Sequence, residues 1–232
     1  MQPLVRRGVH SAETVDEVFL TGAREIHRVI ACQAGLREEP ALAFAALHIW
    51  ARVCHLALFV DEALPAQSLA ALTQEDFFGF LVAYMPIGAV MLAAKQRTSL
   101  VVDVPALARD EVDKRKILLA EVRVLHQMAF CLPLYTPLCS RADDALLRDA
   151  STRHACWQCA VELFSVPPVR RAYFSEHQPI DEEWCTMADI GAATVAIACG
   201  ALGDAAAETL PKRARDVCAL FAAHKAARLA ET

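Results

Sequence analysis

Apolar residues recur every three to four positions along most of the chain, and a one-by-one alternation is rare. That spacing predicts helices and no sheet. A first helix covers roughly Val15 to Ala34 and ends at Gly35, a residue suited to a helix stop. A second starts after Pro40 and runs through ALAFAALHIWARVCHLALFV. Shorter helices follow Pro65 (AQSLAAL) and Thr73 (QEDFFGFLVAYM), and another runs from about Pro86 to Lys95. The stretch ARDEVDKRKILLAEVRVLHQMAF is charged at its start and apolar at helical spacing afterwards.

The prolines of CLPLYTPLCS, Pro133 and Pro137, mark a boundary between two halves. In the second half, ADDALLRDASTRHACWQCAVELFSV reads as one amphipathic helix that ends before Pro167 and Pro168. MADIGAATVAIACGALG is almost wholly apolar, so it belongs at the centre of a bundle. RARDVCALFAAHKAARLA closes the chain. The central apolar helices of the two halves, IGAVMLAAK and IGAATVAIACGAL, look like one element used twice. The expected fold class is all-α, with two similar helical bundles in tandem.

Phe77 to Ala94 carries no charge and meets the bare length of a spanning helix. Gly79, Pro86 and Gly88 interrupt it, and Pro86 removes a helical hydrogen bond, so the segment reads as two core helices meeting at a corner. Composition narrows the function classes further. A net charge of -5 argues against nucleic-acid binding, which needs a basic face. Nine cysteines, an odd number in apolar surroundings, suit reduced thiols in a cytosolic or nuclear protein. The opening MQPLVRRGVHSAETVDE has no apolar core segment of the kind a cleavable signal carries.

Two charged residues raise a question. Lys95 directly follows the uncharged run, where it complements a negative helix C-terminus in the plainest account. Glu121 has Ile117, Leu118, Val124 and Leu125 three and four positions away, all apolar. A lone carboxylate on that face is costly to bury. It either pairs inside the fold, lies at the edge of the core, or sits on an apolar surface that a partner covers.

The remaining chemistry is sparse. Cys156 and Cys159 form a Cys-x-x-Cys pair beside His154, but zinc sites of this kind use a second pair, and none exists. A redox pair would follow a strand, and none is expected here. There is no Gly-rich phosphate loop, Gly-x-Ser-x-Gly or kinase signature. No catalytic residue, metal ligand or cofactor site is expected.

In order and local pattern, roughly residues 20 to 225 resemble a cyclin. REIHRVIACQAGLREEPALAFAALHIWARV is similar to the opening of a cyclin box, with Arg52 near the end of its second helix. IGAVMLAAK resembles the family's central helix, which ends Leu-Ala-(Ala/Ser)-Lys. ILLAEVRVLHQMAFCLPLYTPL resembles the helix that follows, with its glutamate, closing Phe and proline-bearing link. IGAATVAIACGAL falls where the second box's central helix belongs.

The resemblance implies an N-terminal segment over 1–19, a first cyclin box over 20–135 with a helical insertion around 56–84, and a second box over 136–232. It implies that Lys95 and Glu121 bridge at the surface that holds a cyclin-dependent protein kinase. Gln96, Val122, Leu125, Phe130 and Leu132 would complete that surface. Two departures stand out. Gln96 and Arg97 replace an acidic pair, and the interval from Arg52 to Lys95 is longer than the family's. The first box resembles the transcription-type cyclins of the C, H, K, L and T branch, and the first helix has no Met-Arg-Ala-Ile-Leu motif.

The chain is therefore expected to be a nuclear regulatory subunit without an active site or cofactor, obligately bound to its kinase and open to further subunits. No membrane and no direct nucleic-acid contact are expected. The alternatives are a DNA-binding general transcription factor of the same double fold, a helical enzyme using Cys156 or Cys159, and a helical adaptor of another family.

Overall fold

An alanine- and leucine-rich chain with few glycines has little to gain from extended structure, and the regular structure among the described residues is all helical. The computed structural model describes residues 12–37, 39–58, 74–97, 101–132, 137–138, 145–174, 185–200 and 210–230. The helices are α1 (Ala12–Cys32), α2 (Ala34–Arg37), α3 (Pro40–Leu58), α4 (Gln74–Ala83), α5 (Met85–Arg97), α6 (Val104–Leu107), α7 (Glu111–Gln127), α8 (Ala150–Ser165), α9 (Pro167–Phe174), α10 (Met187–Ala198) and α11 (Lys212–Ala230). A 3-10 turn spans Ala145–Arg148. No strand occurs among the described residues, so the fold class is all-α. The chain divides into two compact units, Met1–Leu132 and Pro133–Thr232.

In the first unit α5 is the central rod, and α1, α3, α4 and α7 all pack on it. Every residue from Met85 to Ala94 is buried. The uncharged run does break at its proline: α4 ends at Ala83, Tyr84 makes the turn, and α5 begins at Met85 with Pro86 in its first turn. There the missing amide would have no partner within the helix anyway. No described helix is long and apolar enough to cross a membrane.

Several expected boundaries move. The first helix begins at Ala12, and Val15, Val18 and Phe19 are already core residues, so 12–19 belong to the first unit. It ends at Cys32, with Gln33 just outside it, rather than at Gly35, which lies inside the short α2. The Gln33 side chain donates to the Asp103 carbonyl at 3.1 Å and accepts from the Asp103 amide at 2.9 Å. A two-point clamp to a distant segment thus ends the helix where glycine was expected to. The helix expected after Pro65 lies outside the described residues.

The second unit has α10 as its apolar centre, packed between α8 and α11. Thr186 and Asp189 close a full capping box at its start. The long helix expected across ADDALLRDASTRHACWQCAVELFSV is divided: the Asp149 side chain accepts from the Thr152 amide at 2.7 Å and starts α8 at Ala150. An N-capping aspartate favours a fresh helix start over continuation of the preceding turn. Arg170, buried on α9, donates to the carbonyls of Ser165 at 3.2 Å and Phe164 at 3.4 Å, satisfying the end of α8.

The two central helices share the run Ile-Gly-Ala, at 87–89 and 190–192. In each, the glycine lets another backbone approach closely. A Cβ on Gly88 would stand 2.8 Å from the Ala120 carbonyl, and one on Gly191 would overlap the Pro137 carbonyl. The partners differ: a helix in the first unit, a turn residue in the second.

Candidate partner-binding surface

The α5–α7 contact through Gly88 and Ala120 sets where the two expected charges meet. Lys95, in the last turn of α5, lies beside Glu121, halfway along α7, and Nζ stands 2.5 Å from Oε1. The lysine side chain is 57% exposed and the glutamate 13%. Of the three outcomes open to Glu121, the structure shows a paired carboxylate at the edge of the core. The inward stripe of α7 is Asp113, Ile117, Ala120 and Val124, and Glu121 is next to it. Leu118 faces outward and Leu125 is half-buried, so the face assigned to burial from spacing alone is split between core and surface.

The other expected positions fall around this pair or beyond it along α7. Gln96 is half-buried at the end of α5. Val122 is 48% exposed one position after Glu121, and Leu125 one turn further on is half-buried. Leu132 is half-buried past the helix end. Phe130 is 65% exposed, and its ring meets His126 edge-on with centroids 5.0 Å apart.

The chain leaves α7 through a strained turn. Ala129 and Phe130 have φ of 47° and 59°, a left-handed region that non-glycine residues adopt at a cost of about 1–2 kcal/mol each. The Phe130 amide donates to the Leu125 carbonyl at 2.9 Å and the Ala129 amide to the His126 carbonyl at 3.0 Å, a helix-terminating motif that normally carries glycine. A large ring is held out to solvent on two unfavourable backbone angles. Strain of this kind clusters at functional positions.

Sequence reasoning missed a polar lock beneath this surface. Asp113 sits in the charged opening of α7, yet it is buried. Its Oδ1 accepts from the Tyr84 hydroxyl at 2.6 Å, and its Oδ2 accepts from the Arg109 amide at 3.1 Å and Nε at 3.2 Å. The Tyr84 hydrogen bond, backed by Arg109, holds the Asp113 carboxyl down to about 2, and the carboxylate in turn raises the Tyr84 phenol. This lock ties the α4–α5 corner to the start of α7. A tyrosine at a helix break and an acid in a charged run are too common in sequences to signal it.

Cys156 and Cys159 are both buried on α8, and burial pushes the Cys159 thiol up to about 12. A nucleophile needs the thiolate, and Cys159 withholds it. Among the described residues no group of three or more His, Cys, Asp and Glu side chains is placed to hold a metal ion.

Set against models of protein families, curated proteins and solved structures, the chain matches none of them.

Proposed function

We propose that this chain is a cyclin-like regulatory subunit, built of two tandem cyclin boxes, that binds and activates a cyclin-dependent protein kinase of the transcription-linked type in the nucleus. The observation that carries this reading is the Lys95–Glu121 ion pair, which joins the end of the central helix to the middle of α7 beside outward-facing apolar residues. The family resemblance gives these two residues the role of holding the kinase, and the fold puts them 2.5 Å apart.

With its side chain only 13% exposed, Glu121 needs a partner to offset the cost of holding a carboxylate at the edge of the core, and Lys95 supplies it. In a docking surface the pair does more: it fixes both charged groups in place, which sets the register of a partner. Val122 and Phe130 supply exposed apolar area beside this polar anchor, with Leu125 and Leu132 half-buried behind them and Gln96 at the α5 side. An exposed aromatic ring and apolar side chains with charged groups at their edge match the arrangement of an interface hot spot with a polar rim.

The chain would have no active site of its own in this role. It would bind the kinase helix that carries the catalytic glutamate and favour the position in which that glutamate pairs with the ATP-positioning lysine. Activation then requires only that the surface bind the active arrangement better than the inactive one.

The test is affinity purification from the native cell with wild type, Lys95→Glu and Glu121→Lys, each checked for folding by circular dichroism. A protein kinase should accompany wild type and be lost from both folded variants. No kinase with wild type, or a kinase retained by both variants, rejects the assignment.

A further inference from the structure

Helix α7 is amphipathic on two sides. Its inward stripe packs into the first unit, but a second strip runs along the outside. Arg115, Leu118, Leu119 and Val122 follow the i, i+3, i+4, i+7 spacing that places residues in one column on a helix. All four are exposed, the three apolar ones at 44% or more. Helix-to-helix recognition uses this same spacing for its anchors.

The net charge around the strip is positive. Glu111 is paired with Lys114 at 3.3 Å, Asp113 is buried on Tyr84 and Arg109, and Glu121 is paired with Lys95. Every acid of α7 is therefore engaged. Arg115 stands at the N-terminal end of the apolar column, and the exposed Lys116 beside it has its ammonium 5.4 Å over the Tyr84 ring, held in place by an aromatic face. The strip thus ends in two cations although the whole chain carries a net charge of -5.

We infer that the segment seated on this outer face is an amphipathic helix whose apolar stripe covers Leu118, Leu119 and Val122 and whose carboxylates meet Arg115 and Lys116. The inference rests on the reading of α7 as a docking surface and adds the chemistry of what docks. Nucleic acid is the other polyanion such cations could meet. Three apolar side chains in the same column favour an apolar-faced protein helix over a phosphate backbone.

The test needs no kinase. Two labelled peptides of about five helical turns carry leucines at heptad spacing, one flanked by glutamates and the other by lysines. A double-stranded oligonucleotide is the third probe. Fluorescence anisotropy against the full chain should show the glutamate peptide binding at least about tenfold more tightly than the lysine peptide, and added salt should weaken it. Arg115→Glu combined with Lys116→Glu should reverse the preference, and Arg115→Lys combined with Lys116→Arg should keep it. Equal binding, no binding of either peptide, or preference for the oligonucleotide overturns the inference. If it stands and no kinase accompanies the chain in cells, only the kinase assignment falls.

Discussion

Gly88 lies against the backbone of Ala120 so closely that a single added methyl would stand 2.8 Å from that carbonyl. The contact brings α5 and α7 together backbone to backbone, and it fixes the register at which Lys95 meets Glu121. Backbone atoms cannot rotate away as a side chain can, so Gly88→Ala must push α7 outward. Overpacking of this kind costs about 1–3 kcal/mol. Urea unfolding should show that loss, and binding of the partner should weaken along with it. An unchanged unfolding midpoint would mean the helices are not so tightly apposed.

The lock between Tyr84 and Asp113 makes stability depend on acid. The Asp113 carboxyl is held at about 2, below its ordinary 3.8, so the folded state binds its proton less readily than the unfolded chain. Its contribution is fully present above the ordinary value and is lost as the pH falls from about 4 toward about 2. Tyr84→Phe should cost roughly 1 kcal/mol at neutral pH and should reduce that acid dependence. Thermal melts of both proteins across this range would check it, and identical pH slopes would remove the lock.

Burial decides which thiols react. Cys159 and Cys185 are both pushed up to about 12 by burial, while Cys32 and Cys131 are exposed. Iodoacetamide at neutral pH followed by peptide mass mapping should label Cys32 and Cys131 and leave Cys159 and Cys185 unmodified in the folded protein. Labelling of Cys159 at the rate of Cys32 would revive a chemical role for the Cys-x-x-Cys pair.

The turn after α7 separates stability from binding. Ala129→Gly relieves a left-handed angle that alanine tolerates poorly, and should stabilise the fold by about 1 kcal/mol. Phe130→Gly relieves the neighbouring angle too, but removes the exposed ring. That variant should melt no lower than wild type yet bind its partner at least about tenfold more weakly. Equal binding would show that the ring is held out for another reason.

Much of this was legible in the chain. Helical spacing gave the all-α class, and the proline within an uncharged run marked the α4–α5 corner, because proline acts on its own backbone and needs no distant partner. Spacing marked Glu121 as an acid on an apolar stripe and Lys95 as the end of a buried helix, but their pairing was expected only from the resemblance to the cyclins. What stayed hidden depends on residues far apart in the sequence. Gln33 ends α1 by clasping Asp103, and Asp113 is buried because Tyr84 and Arg109 converge on it. The left-handed turn at Ala129 and Phe130 was hidden for the opposite reason: glycine would announce it, and none is there.

We propose that the surface around Lys95 and Glu121 turns a kinase on. The test is to take any kinase that co-purifies with the chain, prepare it alone, and follow phosphate transfer to a peptide with and without the added chain. Wild type should raise the rate by orders of magnitude, and Lys95→Glu and Glu121→Lys should fail to do so at the same concentration. A kinase equally active without the chain, or activated as well by both folded variants, would rule out activation through this surface.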